Sequence, residues 1–481
     1  MKQFLRNLAV VAALCVPAAF SRGVEPETPP APVWHHTYDR VGVPGRLWSL
    51  DDGRVILVTR DGNLTVFDGC NGRLLANARV TDGGDDSLWI QKASETNFLL
   101  ISASGKIMEL DVPKGIISRT ISYPFDSRLP PVPYHESYIV VKGYRGQQLV
   151  LIDKDGQEVW QRELPGYVLH RPGIRSCVAV VLTRQGSYGG QASSAVDTRT
   201  GELVWSDKTD AYGNGVAFSP AGDSLIETDW IGISLRKERG AGWILSRDIR
   251  TGSRRWVHQA GDSVSHSPIY HAKHDRAFIC LDGGGVMCFR GHDGKIIWRS
   301  DLPEGPALVN FSYTPPYSPP LDISGSVLVV RSKTGRVFLL DARDGSTLTE
   351  LTWAAGCQSH PRIANGMVFI LTENTLSGYS LKNILSKTGA CGYSILVNCT
   401  DGSRLRGAPT LERITLRASY ATFQIPFSQI LYLELQEGVA VIELDNGDRL
   451  SGRIEGQSIQ LKSAVGVLDV PLAKIESVIG F

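Results

Sequence analysis

The sequence predicts an all-β chain: an eight-bladed propeller followed by a small, barrel-like, duplicated β domain. Three observations lead there. An apolar strand, a turn and a second apolar strand ending in Asp, with Gly three or four residues on, recur at regular intervals. Trp stands four residues past the Gly in half of these repeats. After about Lys387 the period changes and a gapless duplication with an offset of 45 residues takes over.

The first repeat is found at Asp68/Gly72, Asp111/Gly115, Asp153/Gly156, Asp197/Gly201, Asp248/Gly252 and Asp341/Gly345. Two copies are degenerate: one has Gly291 in the Asp place before Gly294, and the other puts Ser380 there. Successive spacings of 43, 42, 44, 51, 43, 50 and 39 residues match a four-stranded blade. The Asp carboxylate suits a turn because it can accept backbone N–H groups across the bend, and Gly tolerates the positive φ that such a turn needs. Trp160, Trp205, Trp256 and Trp298 then fall on the next strand, where an indole can fill the gap between blades. Ala76, Arg119 and Thr349 hold that place in three other blades.

The stretch from Ala195 through Asp197 and Gly201 to Trp205 resembles the tryptophan-docking repeat of quinoprotein-like (PQQ-like repeat) propellers, a likeness that runs from about Trp34 to Leu385. In export and blade number the chain is similar to the BamB-like branch of that family, whose members are envelope scaffolds. It departs from them in having Leu14 before Cys15, where a lipid-attachment box wants a small residue, and in its C-terminal duplication. The segment at Trp34 stands before 41–45 much as Trp160 stands before 164–166, and the eighth repeat lacks such a strand. The expectation is that Trp34 completes the blade holding 368–381. A ring of seven blades is the alternative.

In the C-terminal part, 401–407 recurs as 446–452, and the match continues through Ile414/Ile459, Leu416/Leu461, Ile425/Val470, Pro426/Pro471 and Ile430/Ile475. Each copy reads as short strands with an Asp-Gly or Asn-Gly hairpin turn. The opening pattern looks like that of Sm-like small barrels. Two half-barrels, or two tandem barrels sharing a core, are expected, with Cys399 buried and Arg404 and Arg449 as solvated strand residues.

Residues 1–21 combine Lys2 and Arg6, an apolar run over 8–16 and small residues at 18–21, as in a secretory signal. A Pro-rich spacer over 22–33 follows, then the propeller over 34–387 and the duplicated domain over 394–481. The chain is thus expected to be exported, periplasmic or secreted, without a lipid anchor and without a membrane-spanning segment in its mature form. A net charge of +1, from 50 basic and 49 acidic residues, gives no bulk attraction to nucleic acid. Removing the signal leaves seven of the eight Cys, an odd number. Cys280 and Cys288 flank a turn on what should be adjacent strands, which allows a cross-strand disulfide in an oxidising compartment, whereas Cys70, Cys177 and Cys357 read as buried or free thiols.

Chemistry is sparse. No Walker loop, G-x-S-x-G or H-E-x-x-H motif occurs. The repeat aspartates have a sufficient role in turns, so no catalytic, cofactor or metal residue is assigned. A PQQ- or metal-dependent oxidoreductase using the propeller axis is the alternative to a non-enzymatic scaffold. Against it, the chain has no Cys-Cys dipeptide and its blades are near minimal length. His170, His266 and His360 precede strands near a Pro and are candidates for channel lining, whereas His271 and His274 are expected on an exposed loop. Long excursions at 229–242 and 303–320 add surface. The second holds Phe311, Tyr313 and Tyr317 among four prolines, aromatic anchors on a stiffened loop for a protein or other macromolecular partner in the envelope. The alternative is a loop packed on its own rim.

Overall fold

The computed structural model describes residues 29–480 apart from connecting stretches, the longest of which are 80–88, 231–241, 303–320 and 387–394. The predicted leader and the start of the spacer therefore lie outside the described residues.

Eight separate antiparallel sheets make the propeller. Blades 1 to 7 use residues 46–79, 89–122, 132–163, 167–209, 212–259, 269–301 and 321–351. Their middle strands run apolar on both faces, as in the fully buried Leu149, Val150 and Ile152, because each face packs on a neighbouring blade. First strands of adjacent blades touch one another, which puts them nearest the axis. The first layer of blade 4 is split into Tyr167–Val168 and Gly173–Arg175, both paired with Val178–Arg184.

Blade 8 contributes only Arg362–Ala364, Met367–Leu371 and Thr375–Ser380, and its outer strand is Trp34–Thr37. Trp34 pairs with Gly378 and Thr37 with Thr375, so the two ends of the ring are joined inside one sheet, as the sequence predicts. Ser380, in the Asp place, becomes a helix cap instead of a turn residue. Its hydroxyl accepts the Asn383 N–H at 3.3 Å, and the short helix Leu381–Ser386 follows. That helix packs Leu381, Ile384 and Leu385 with Leu351, at the seam where Thr349 stands in place of Trp.

One turn differs from expectation, and a second has the shorter spacing read from the sequence. In four regular blades the Gly amide bonds the Asp carbonyl, as Gly72 does to Asp68 at 2.8 Å, and in blade 6 Gly294 bonds Arg290 at 2.9 Å. Arg290, not Gly291, thus holds the Asp place. A carboxylate is supplied from the facing turn instead. Asp275 accepts the His292 amide at 3.1 Å, the bond that Asp341 makes to Arg343 in blade 7 at 2.9 Å. Gly291 must be Gly there, since a Cβ would stand 1.4 Å from the Tyr270 hydroxyl. In blade 3 the turn is one residue shorter. Gly156 follows Asp153 by three places instead of four, and its amide bonds Asp153 O at 3.1 Å.

The first excursion is shorter than expected, because strands continue to Trp230 and resume at Gly242. Cys280 lies opposite Val286 and Cys288 opposite Phe278, a diagonal relation, and both are buried free thiols. His271 is also not a loop residue. It ends the strand Ile269–His271, is buried, and bonds Gly325 O of the next blade at 3.0 Å.

The C-terminal residues form one ten-stranded sheet in which the two copies exchange strands. Arg413–Arg417 of the first copy pairs with Arg449–Glu455 of the second, placing Leu416 opposite Ile454. Shifted by the repeat offset, the same contact appears as Leu461 opposite Pro409. The copies meet at Tyr432/Ile479 and Glu434/Ser477, with Leu433 opposite its own equivalent, Val478, on a pseudo-twofold axis. The expectation of two halves sharing a core therefore holds in an exchanged form. A single core includes Val397, Cys399, Leu433, Ile442, Leu461 and Val478.

Candidate functional site

Each Trp wedge has the same geometry. The indole N–H of Trp160 donates to Thr198 O at 2.9 Å, Trp205 to Ile249 O at 2.8 Å, Trp256 to Gly291 O at 2.7 Å and Trp298 to Ala342 O at 3.0 Å. Trp34 repeats it across the closure, donating to Gly69 O at 2.8 Å. Every acceptor is the residue after the Asp place of the next blade. The ring then lies on the repeat Gly of that blade, so a Cβ at Gly201, Gly252, Gly294 or Gly345 would meet indole carbon within 2.8 Å. These four glycines have φ between +71° and +73°, so glycine is needed both for the turn and for the ring above it.

Gly156 has the turn role read from the sequence but takes no part in a wedge. The blade before it has Arg119 where others have Trp, and the sole neighbour within 4 Å of its Cβ position is Ile121 Cγ2 at 3.0 Å. Its φ of +82° still requires a left-handed residue. Gly156 therefore serves the shortened turn after Asp153 alone, and Trp160 acts on the following blade at Gly201.

The repeat carboxylates are occupied by turns. Asp68 accepts Cys70 N, Asp153 accepts Asp155 N and Gln157 N, Asp197 accepts Arg199 N, and Asp248 accepts Arg250 N, all at 2.8–3.0 Å. The Arg199 side chain also forks onto Asp197 and holds its carboxyl down at about 2. Asp111 ends the strand Lys106–Asp111, while Gly115 lies outside the described residues. Of the histidines placed at the channel, His170 and His266 also lie outside, and His360 is half-buried before Pro361. The loop bearing Phe311, Tyr313 and Tyr317 lies outside as well. Among the described residues no group of three His, Cys, Asp or Glu is arranged to hold a metal.

Sequence reasoning did not find two buried ionic clusters. At the closure, Asp322 of blade 7 accepts Ile363 N of blade 8 at 3.1 Å and the Ser49 hydroxyl of blade 1 at 3.3 Å. Arg362 of blade 8 donates to Leu47 O of blade 1 at 3.2 Å. Burial pushes the Asp322 carboxyl up, and the Arg362 charge opposes it. These residues join three blades at their axial strands. Between blades 4 and 5, Arg247 is fully buried and donates to Glu227 at 3.2 Å, Asp207 at 2.5 Å and Gly252 O at 3.0 Å.

The turn face of blades 6 and 7 carries the C-terminal sheet. Arg343, forked onto the buried Asp341, reaches the Ser477 hydroxyl, which also accepts the Asn398 amide at 3.2 Å. Beside this dock lies a small open cleft lined by His271, Arg276, Gly325, Tyr432, Glu434 and Glu476. Burial, then Glu434, pushes the Tyr432 hydroxyl up. Connections between second and third strands, and between blades, leave from the opposite face, so the strand ends Trp230, Gly242, Asp301 and Leu321 lie there.

Comparison with known proteins agrees with this architecture. A family model described as outer membrane protein assembly factor BamB matches residues 118–267 and 282–451. The outer membrane protein assembly factor BamB of Yersinia pestis is 28% identical over 148 residues, 31% of this chain and 36% of that protein, so the match spans about a third of the relative's length. The crystal structure of BamB from Moraxella catarrhalis superposes with a TM-score of 0.51 at 15% identity, covering 73% of this chain and 99% of the other. The computationally designed Ika8 protein superposes equally, with a TM-score of 0.51 at 15% identity over 72% of this chain and all of its own. At these identities the two structures speak for the fold.

Proposed function

Because the chain belongs to the family of the outer membrane protein assembly factor BamB, we propose that it is an exported, non-enzymatic scaffold of the cell envelope that binds protein partners. The observation that carries this reading is where the polar repeat residues are used. The motif carboxylates bond turn amides and the indoles bond seam carbonyls, so the repeated groups hold a rigid ring. A rigid ring suits binding by loops on its rim. The signal-like first 21 residues support export, and among the described residues no helix is long and apolar enough to cross a membrane.

The partner contact is assigned to Phe311, Tyr313 and Tyr317 of the excursion 303–320, the aromatic anchors read from the sequence. Affinity capture from envelope fractions tests this with the full-length protein and a Phe311→Ser/Tyr313→Ser/Tyr317→Ser variant. The expected result is a protein retained by the wild type and lost by a variant whose melting is unchanged. Equal capture by both would remove the loop from the site. A stoichiometric quinone absorbance band with dye-linked alcohol oxidation would overturn the scaffold reading itself.

A further inference from the structure

The exchanged duplication provides an internal control. Two wings share one backbone plan, so a side chain present on one wing and absent from the other is not required by the fold. The wing built from Arg413–Arg417, Thr422–Pro426 and Arg449–Glu455 carries Tyr420 at its tip, 74% exposed, with its ring edge-on to Phe423 at 5.9 Å. In sequence the equivalent positions, 45 residues on, are Val465 and Leu468, neither of them aromatic. On the outer face of the same wing Arg417 stands directly opposite Arg453, and both are exposed. The other wing has Lys462 opposite Ala408.

Like charges placed directly across an antiparallel pair repel. Glu455 bonds Arg417 at 2.5 Å, which leaves Arg453 without an ionic partner among the described residues. The tip is a four-residue turn closed by Ala418 N to Ala421 O at 2.9 Å, and the exposed Tyr420 on it is unlike the pocketed anchors of protein interfaces. Guanidinium groups bind phosphate through two parallel hydrogen bonds, and exposed Tyr rings favour the headgroup level of a bilayer.

We propose that this wing tip docks on the phosphate-bearing surface of an anionic lipid bilayer, through Arg417, Arg453 and Tyr420. The property goes beyond the scaffold reading and is tested without it. Purified full-length protein is sedimented with phosphatidylcholine vesicles, with and without phosphatidylglycerol. Binding to the anionic vesicles alone is expected, and it should weaken as salt is raised.

Arg453→Ala should lower that binding about fivefold, and Tyr420→Val/Arg453→Ala further. Each of these substitutions installs the residue that the other copy carries at the equivalent position, and an unchanged melting transition verifies the fold. Lys462→Ala, on the other wing, should leave binding intact. Sedimentation with neither vesicle, or with both equally, or unaffected by Arg453→Ala, would overturn the proposal. A variant that loses a protein cross-link while the wild type ignores anionic vesicles would assign the tip to a protein and overturn it too.

Discussion

The indole of Trp34 lies on Gly72, with its Cγ only 2.6 Å from where a Cβ would stand, so the first strand of the fold locks the last blade to the first with the wedge used inside the ring. Gly261 separates the two demands on such a glycine. Its φ of +73° matches the +71° of Gly72, but nothing lies within 4 Å of its Cβ position. Gly261→Ala should cost about 1 kcal/mol of unfolding free energy, the strain of the left-handed backbone. Gly72→Ala should cost about 1–3 kcal/mol more, because the ring must move. Trp34→Ala should cost about 3–5 kcal/mol. Urea unfolding checks all three, and equal costs at the two glycines would mean that the ring is not wedged.

Asp275 stands in for the carboxylate that blade 6 lacks where Arg290 holds the Asp place. Asp275→Ala should therefore destabilise by about 1–3 kcal/mol, as a turn amide loses its acceptor. Restoring the motif with Arg290→Asp in the same chain should recover part of that loss. Thermal melting of the single and double variants checks it, and no recovery would mean that the two carboxylates do not serve the same turn.

The ring was legible because its period, its turn chemistry and the missing strand of the last blade are all local patterns. Trp34 could be matched to Trp160 from its neighbours alone. Gly156 shows the limit of that matching, since a turn glycine and a glycine beneath an indole look alike until the preceding blade is seen to carry Arg119. The exchange between the two C-terminal copies was not legible, because Leu416 sees the same apolar environment whether it pairs within its copy or with Ile454 of the other. Asp275 was missed for a related reason: a carboxylate borrowed from a facing turn leaves no spacing signal. His271 was misjudged because its acceptor, Gly325 O, is on another blade, 54 residues away. Glu227 and Arg247 sit in strands that read as ordinary amphipathic segments, and only the stacking of blades 4 and 5 removes them from water.

The cysteines give a direct readout of the packing of the propeller and of the C-terminal sheet. Cys70 is exposed at a turn, whereas Cys280, Cys288, Cys357 and Cys399 are buried. Burial pushes the Cys288 thiol up to about 12 and the Cys357 thiol to about 11, which removes the reactive thiolate near neutrality. A thiol reagent should label Cys70 in the native protein and reach those four only in denaturant. Peptide mapping of the labelled sites checks this. A denatured thiol count two short, with Cys280 and Cys288 both unlabelled, would show a bridge where the structure has free thiols.

Arg247 is the counter-charge on which the blade 4 to blade 5 seam depends. Removing it by Arg247→Met leaves the Glu227 carboxylate buried and unpaired, at an expected cost of about 3–5 kcal/mol. Glu227→Leu/Arg247→Met together should cost far less, since an apolar pair has no charge to desolvate. The pH dependence has a definite sign. Burial raises the Glu227 carboxyl above its ordinary 4.5 and Arg247 opposes the rise, so the folded chain holds this proton more tightly than the unfolded one. The stabilisation is complete below the unfolded value and fades as pH climbs through the folded one. Without Arg247 the fading should extend to higher pH, and Glu227→Gln should abolish it. Urea denaturation across a pH series separates these cases: a slope above 4.5 that survives in Glu227→Gln would place the titrating group elsewhere.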